Sequence, residues 1–355
     1  MFGSFGFRIS ARCLAFCTFL SLAIPGLGLG ASVQAAPARP VVLVIVGAPG
    51  TPEYATQFAA WAGLWEQACV KSNATYLSVG LGAPAAESDC ARVRQILGGL
   101  KTEDRTPTPE PSSVLRPPSS VLWIVLLGHG TFDGRTAKFN LRGPDLSARD
   151  LAEWLKPLQG PVAVIDATAS SAPFLKELSG PDRIIVTATK SGFEQNYARF
   201  GQYLAEAIID PNADLDKDGQ TSLLEAFLSA SHATGQFYAA AGRLATEHAL
   251  LDDNGDGLGT PAEWFRGIRP VQRARDGAAL DGYRAHQLHL LSSPAEAALP
   301  PEVRAKRDQL ELQVMELRDG RAKLSDDEYF SKLEPLLREI AQIYEQVDQS
   351  PSANK

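Results

Sequence analysis

Seven consecutive apolar residues, Val121-Leu122-Trp123-Ile124-Val125-Leu126-Leu127, leave this stretch of chain little choice of environment. A run this short and without a polar face suits a strand buried on both sides, the kind found in sheets that carry helices on both faces. Further strands are expected at residues 41–46, 75–79, 162–166 and 183–188. Helical patterns fall between and after them, at 52–70, 86–100, 147–155, 172–178 and 196–209. Pro52 directly after Thr51, and Ser147 three residues before Asp150, are helix-start signals. Alternating strands and helices imply a three-layer α/β domain over residues 36–209 with a mostly parallel sheet and right-handed crossovers.

The flanks have other compositions. Arg8 and Arg12 precede an apolar stretch from Cys13 to Leu29, and Val33-Gln34-Ala35 is a small-residue cleavage pattern. Residues 1–35 therefore read as a secretory signal peptide, and the protein as exported to a periplasmic or extracellular space. No other stretch approaches the roughly 20 apolar residues that a spanning helix needs. Removal of the peptide takes the formal charge from -7 to -9, since Arg8 and Arg12 are its only charges. An acidic chain with no basic tract gives no electrostatic basis for binding nucleic acid. Cys69 and Cys90 then remain, either as one disulfide contributing on the order of 3 kcal/mol or as two free thiols. Residues 101–120 are rich in proline, repeat Pro-Ser-Ser-Val-Leu, and read as a flexible insertion.

Beyond the sheet, an acidic helical region is expected over 210–269, a polar connector over 270–300 and a helical hairpin over 301–348. The hairpin's two helices, 301–318 and 326–347, are joined at Asp319-Gly320, and Ser325 with Glu328 forms a capping box. The last helix carries Leu333, Leu336, Ile340, Ile343 and Val347 as its apolar stripe. Within the acidic region, residues 214–225 match the twelve-residue EF-hand calcium loop. Asp214, Asp216 and Asp218 stand at positions one, three and five, and Gly219 at six. Gln220 offers a backbone carbonyl at seven, Ser222 stands at nine and Glu225 at twelve. The spacing matters because a hard divalent ion needs six to eight oxygens, which alternate residues of a tight loop turn inward. A second copy runs through Asp252, Asn254, Asp256, Leu258 (by its carbonyl), Thr260 and Glu263. It departs at position eight, where Gly259 replaces the apolar residue that pairs two such loops. Pro211 interrupts the usual helix before the first loop. Calcium in a structural role, in loops not paired with each other, is the expectation.

Two strand ends carry the remaining chemistry. The run 121–127 leads into Gly128-His129-Gly130, and 162–166 leads into Ala167-Thr168-Ala169-Ser170-Ser171. Ligands of open parallel sheets bind outside the carboxyl ends of strands, and glycines beside His129 would let a substrate backbone approach. Gly47-Ala48-Pro49-Gly50, after the first strand, lacks the third glycine of a dinucleotide-binding turn.

An apolar strand ending in Gly-His-Gly, followed by one ending in a small-residue turn, resembles the caspase-fold peptidases: legumains, clostripain-like enzymes and caspases. Legumain-like proteases end the second strand in Glu-Ala-Cys-Glu-Ser-Gly, and Asp166-Ala167-Thr168-Ala169-Ser170-Ser171 stands in register with it. The resemblance spans about 41–209 and implies a caspase-like fold, with His129 as the catalytic histidine and Thr168 in the place of the nucleophilic cysteine. A hydroxyl is harder to deprotonate than a thiol by about seven pKa units, on the order of 10 kcal/mol. A hydroxyl nucleophile therefore needs a base held in register by a third group. Asp133 and Asp145 are the acids nearest His129 in sequence. The expectation is a non-catalytic binder of peptide or protein. The alternative is a hydrolase that uses Thr168 or Ser170 with His129.

Overall fold

The computed structural model describes residues 39–100 and 121–348, with side chains as far as 345. The segment read as a signal peptide and the proline-rich stretch 101–120 lie outside the described residues, as does the Val347 side chain. The chain opens with β1 (Val41–Val46), α1 (Pro52–Ser72), β2 (Thr75–Val79), α2 (Asp89–Gly99) and β3 (Leu122–Leu127). Three short strands follow, β4 (Gly130–Phe132), β5 (Ala137–Phe139) and β6 (Leu146–Ser147), then α3 (Ala148–Leu155). Next come β7 (Val162–Asp166), α4 (Ala172–Leu178), β8 (Arg183–Thr187), α5 (Phe200–Ala207), α6 (Leu223–Ala240), β9 (Leu250–Asp252) and β10 (Thr260–Pro261). A minimal hairpin, β11 (Phe265–Arg266) and β12 (Arg269–Pro270), precedes α7 (Tyr283–His286) and α8 (Pro294–Ala298). The chain closes with α9 (Pro301–Asp319) and α10 (Asp326–Asp348).

The central sheet has the order β10-β9-β8-β7-β3-β1-β2. The five strands anticipated from the sequence pair in parallel, and β9 and β10 add an antiparallel edge. Period-two alternation divides the strand residues between two cores. Val42, Val44, Trp123, Val125 and Ile165 face α1, α5 and α6. Leu43, Ile45, Ile124, Leu126 and Val164 face α2, α3 and α4. This is the expected three-layer α/β architecture with a mostly parallel sheet. Each large aliphatic side chain buried in it contributes roughly 1.5–3 kcal/mol.

The sheet departs from expectation in drawing strands from the region read as helical, 210–269. The stretch 250–252 is too short to announce itself, and it becomes a strand only because β8 offers an unpaired edge. Helix starts also moved. α2 begins at Asp89 because Ser88 accepts the Ala91 N–H at 3.3 Å. α5 begins at Phe200, four residues late, because its cap comes from elsewhere in the chain. The Glu247 carboxylate accepts the Arg199 and Phe200 N–H groups at 2.8 and 2.9 Å.

Cys69 and Cys90 are free. Cys69, on α1, is buried in the core on one face of the sheet, while Cys90, on α2, packs against the core on the other. The sheet between them rules out the disulfide. Burial and then Glu66 push the Cys69 thiol up to about 11. In the terminal hairpin the Ser325–Glu328 capping box is formed, and Tyr329, Ile343, Leu310 and Val314 bury its seam. No helix among the described residues is long and apolar enough to cross a membrane.

Candidate functional site

The strand order places a reversal between β1 and β3, where the chain leaves neighbouring strands toward opposite faces of the sheet. Crevices at such points are where open parallel sheets bind ligands. The turn after β1 (Gly47-Ala48-Pro49-Gly50) and His129 after β3 meet there. Nε2 of His129 stands 3.2 Å from the Pro49 carbonyl oxygen. A carbonyl only accepts, so this nitrogen carries the proton. The half-buried ring sits edge-on to Tyr54 at 4.7 Å and Phe58 at 5.3 Å, with Tyr197 at 6.1 Å. An aromatic wall from α1 and the 189–199 loop thus holds the imidazole.

The glycines beside His129 serve the protein's own backbone rather than an incoming chain. A Cβ on Gly128 would meet Gly47 Cα at 3.1 Å, and one on Gly130 would lie 2.1 Å from the Ala169 carbonyl and 2.6 Å from Thr168 Oγ1. Gly130 therefore lies directly against the turn after β7.

That turn is sealed. Thr168 is 1% exposed, and its hydroxyl donates to Asp166 Oδ1 at 2.6 Å and more weakly to the Ala169 carbonyl at 3.1 Å. The Thr168 N–H donates to the same carboxylate oxygen at 3.1 Å. Asp166, the last residue of β7, is fully buried with Oδ2 lacking any partner. Burial raises its carboxyl to about 7, against the lowering effect of the Thr168 hydrogen bonds. The group that holds the Thr168 proton is thus Asp166, while His129 is engaged by Pro49. Sequence reasoning missed this role for Asp166; its only signal was an acid closing an otherwise apolar strand.

Ser170 is strained and buried. Its φ is 57°, in the left-handed region, its side chain is 1% exposed and its hydroxyl has no partner. Its N–H donates to the Glu194 carbonyl at 2.9 Å. Ser171 and Thr189 bind each other's hydroxyls at 3.0 Å, joining the ends of β7 and β8. Asp133 and Asp145 do not reach His129. Asp133 accepts the Arg135 and Thr136 N–H groups at 2.8 and 2.7 Å, and Asp145 accepts the Leu141 N–H at 3.2 Å. Arg142 clamps buried Asp89 with bonds of 2.7 and 3.1 Å. All three fix loops.

The acidic loops share one local conformation. Asp214 accepts the Lys217 and Gly219 N–H groups at 2.7 and 3.0 Å, and Asp252 accepts those of Gly255 and Gly257, both at 3.0 Å. Asp216 and Asn254 at position three, and Asp218 and Asp256 at position five, each accept the N–H two residues on. Their second halves differ. In the first loop the Glu225 carboxylate turns back over the loop, accepting the Leu215, Asp216 and Ser222 N–H groups at 2.8, 3.2 and 2.9 Å. Ser222 caps α6, which brings Glu225 into its first turn. Among the described residues, Asp214, Asp216 and Asp218 bring three ligand oxygens within 4.8 Å of one another. An all-carboxylate oxygen set of this kind fits a hard divalent cation. The Gln220 side chain accepts the Ser293 N–H at 3.0 Å.

In the second loop, β10 folds back antiparallel on β9 and carries Glu263 away along the sheet. Thr260 turns its hydroxyl to Asp281 at 2.6 Å. Leu258 lies in the bend, where its N–H is taken by Asp256 at 2.8 Å. Gly259 is required by this hairpin, since a Cβ there would approach Leu250 Cβ to 2.7 Å. The loops do not pair with each other. Ser222 bridges to His289 instead, and Leu223 N–H reaches the Leu288 carbonyl at 2.8 Å.

No protein-family model matches the chain, and no curated protein does. Among solved structures, 21 chains match. One is the crystal structure of the Drosophila initiator caspase Dronc, with a TM-score of 0.39 and 13% identity, covering 60% of this chain and 79% of that one. A likeness this distant assigns no role to any residue.

Proposed function

We propose that the chain is an exported, calcium-binding protein with a caspase-like α/β domain, whose crevice binds peptide or protein without hydrolysing it. The observation that carries this reading is the Thr168 hydroxyl, 1% exposed and donating at 2.6 Å into a buried carboxylate behind the Gly130 backbone. Attack on a carbonyl needs that oxygen exposed and hydrogen-bonded to a base that can pass the proton onward. Asp166 lies within reach but shares the burial, and His129 donates to Pro49. What remains at the surface is a crevice walled by the half-buried Tyr54 and Tyr197 beside His129, which suits recognition.

Calcium belongs to the opposite edge of the sheet. β9 runs antiparallel to β8 and ends with Asp252 opposite Ile185, heading toward the start of β8, whereas His129 and Thr168 follow strand ends. α5 starts beside Ala167 and leads away, and α6 returns to place Phe237 against Arg199. The Asp214 loop between them lies at the far ends of both helices. Asp214, Asp216, Asp218, the Gln220 carbonyl, Ser222 and Glu225 would hold the ion. Asp252, Asn254, Asp256 and the Leu258 carbonyl would form a weaker second site. An ion so far from the crevice braces α6 and its neighbours; it does no chemistry.

The test is a peptide-library screen on purified protein with calcium present, reading binding and cleavage in the same samples. The reading expects saturable binding of some peptides, weakened by Tyr197→Ala at the crevice wall, with every bound peptide recovered intact. Absence of binders, or binders recovered as fragments, contradicts it.

A further inference from the structure

A cavity of about 530 Å³ opens between α6, the start of α5 and the segment entering β9. It borders the sheet edge that carries the crevice, since Ala188 follows β8 and Ala249 precedes β9, yet His129, Thr168 and Ser170 do not line it. Its volume suits a small ligand. The walls are largely apolar, built from Ala188, Phe200, Leu228, Ala245 and Ala262.

The carboxylates Glu247 and Glu263 line the cavity, with no lysine or arginine among the described lining residues. His232, His248, Ser231, Thr234 and Gln236 complete its polar lining. An anion would look for the N-terminus of α5, but Glu247 already occupies it through the Arg199 and Phe200 N–H groups. Arg199 is itself withdrawn, its guanidinium stacked 4.3 Å over Phe237. Glu263 makes no hydrogen bond or ion pair among the described residues. It is the side chain that β10 carried away from the second acidic loop. His248 is fixed, with Nδ1 2.6 Å from the Glu194 carboxylate. Glu194 also accepts the Ser170 N–H through its carbonyl, so the residue that fixes His248 also holds the turn after β7.

We infer that this cavity binds a small organic cation, an amine on a short apolar stem, with Glu263 receiving the ammonium and the alanine-rich walls receiving the stem. The site is independent of the crevice proposed above. Hexylamine, 1-hexanol and hexanoate share a stem and differ in charge, so titrating each into the purified protein by calorimetry or ligand-observed NMR tests it. Hexylamine saturates at the lowest concentration and hexanoate does not bind. Glu263→Gln weakens hexylamine by about threefold to fivefold, the scale of one solvent-touched charge pair, and leaves hexanol unchanged.

Gly235→Leu fills the cavity from α6 and abolishes binding of the amine. A Cβ at Gly235 meets nothing within 4 Å, and leucine favours a helix more than glycine does, so the variant is expected to fold, which a thermal melt of it checks. Equal binding of all three compounds, binding of hexanoate, or amine binding that survives Gly235→Leu overturns the inference.

Discussion

Around the turn after β7, Ser170, Gly130 and Asp166 make separate demands on the fold. Ser170 holds a left-handed backbone and buries a hydroxyl with no partner, both of which cost stability. Ser170→Gly removes both costs against a smaller entropic penalty. It should raise stability by about 1 kcal/mol, read from a denaturant or thermal melt. Gly130→Ala has the opposite sign. Its methyl group would lie 2.1 Å from the Ala169 carbonyl, backbone against backbone, and should cost at least about 2 kcal/mol in the same assay. Asp166 makes stability depend on pH. Its carboxyl sits at about 7 when folded, against about 4 when unfolded, so the folded state binds the proton more tightly in that window. Its contribution is fully present below pH 4, falls as pH rises to about 7 and is flat above. Melts of Asp166→Asn should lose that component, so that the variant gains on the parent as pH rises from 4 to 7. A constant difference would refute the assignment.

At the scale of elements, the acidic loops show how far a motif carries. The first halves of both were legible because Asp and Asn at alternate positions take backbone N–H groups within the loop itself. The second halves were not, because a neighbouring strand decides them. α6 keeps Glu225 over the first loop, while β9 draws β10 and Glu263 off the second. Calcium should therefore raise the melting temperature chiefly through the first loop. Asp218→Asn, an exposed change, should remove most of that rise and Asp256→Asn little of it, measured by scanning calorimetry after chelation and re-addition; the reverse ranking would count against the proposed order of the sites. α5 teaches the same lesson. Its apolar pattern runs from Asn196, yet its start is set by a carboxylate 47 residues away at Glu247. Glu247→Ala should destabilise the protein by about 1–2 kcal/mol through loss of that cap.

Across the described chain, apolar runs and their alternation with helices gave away the parallel sheet, because burial on both faces is written in the unbroken apolar runs of β1, β3 and the first four residues of β7. The antiparallel edge and the three short strands after β3 left no such mark, since their pairing is set by neighbours. The site was half legible. Gly-His-Gly and the small-residue turn located the crevice, but no local pattern shows that Thr168 turns inward to Asp166 or that Pro49 engages His129. The proposed role of the crevice, recognition without hydrolysis, rests on that inward turn. Mass-spectrometric analysis of a diverse peptide library, incubated at saturating calcium with the parent protein and with Thr168→Ala, tests it most directly. The account predicts that both leave every peptide intact. Cleavage by the parent that disappears in Thr168→Ala would contradict it.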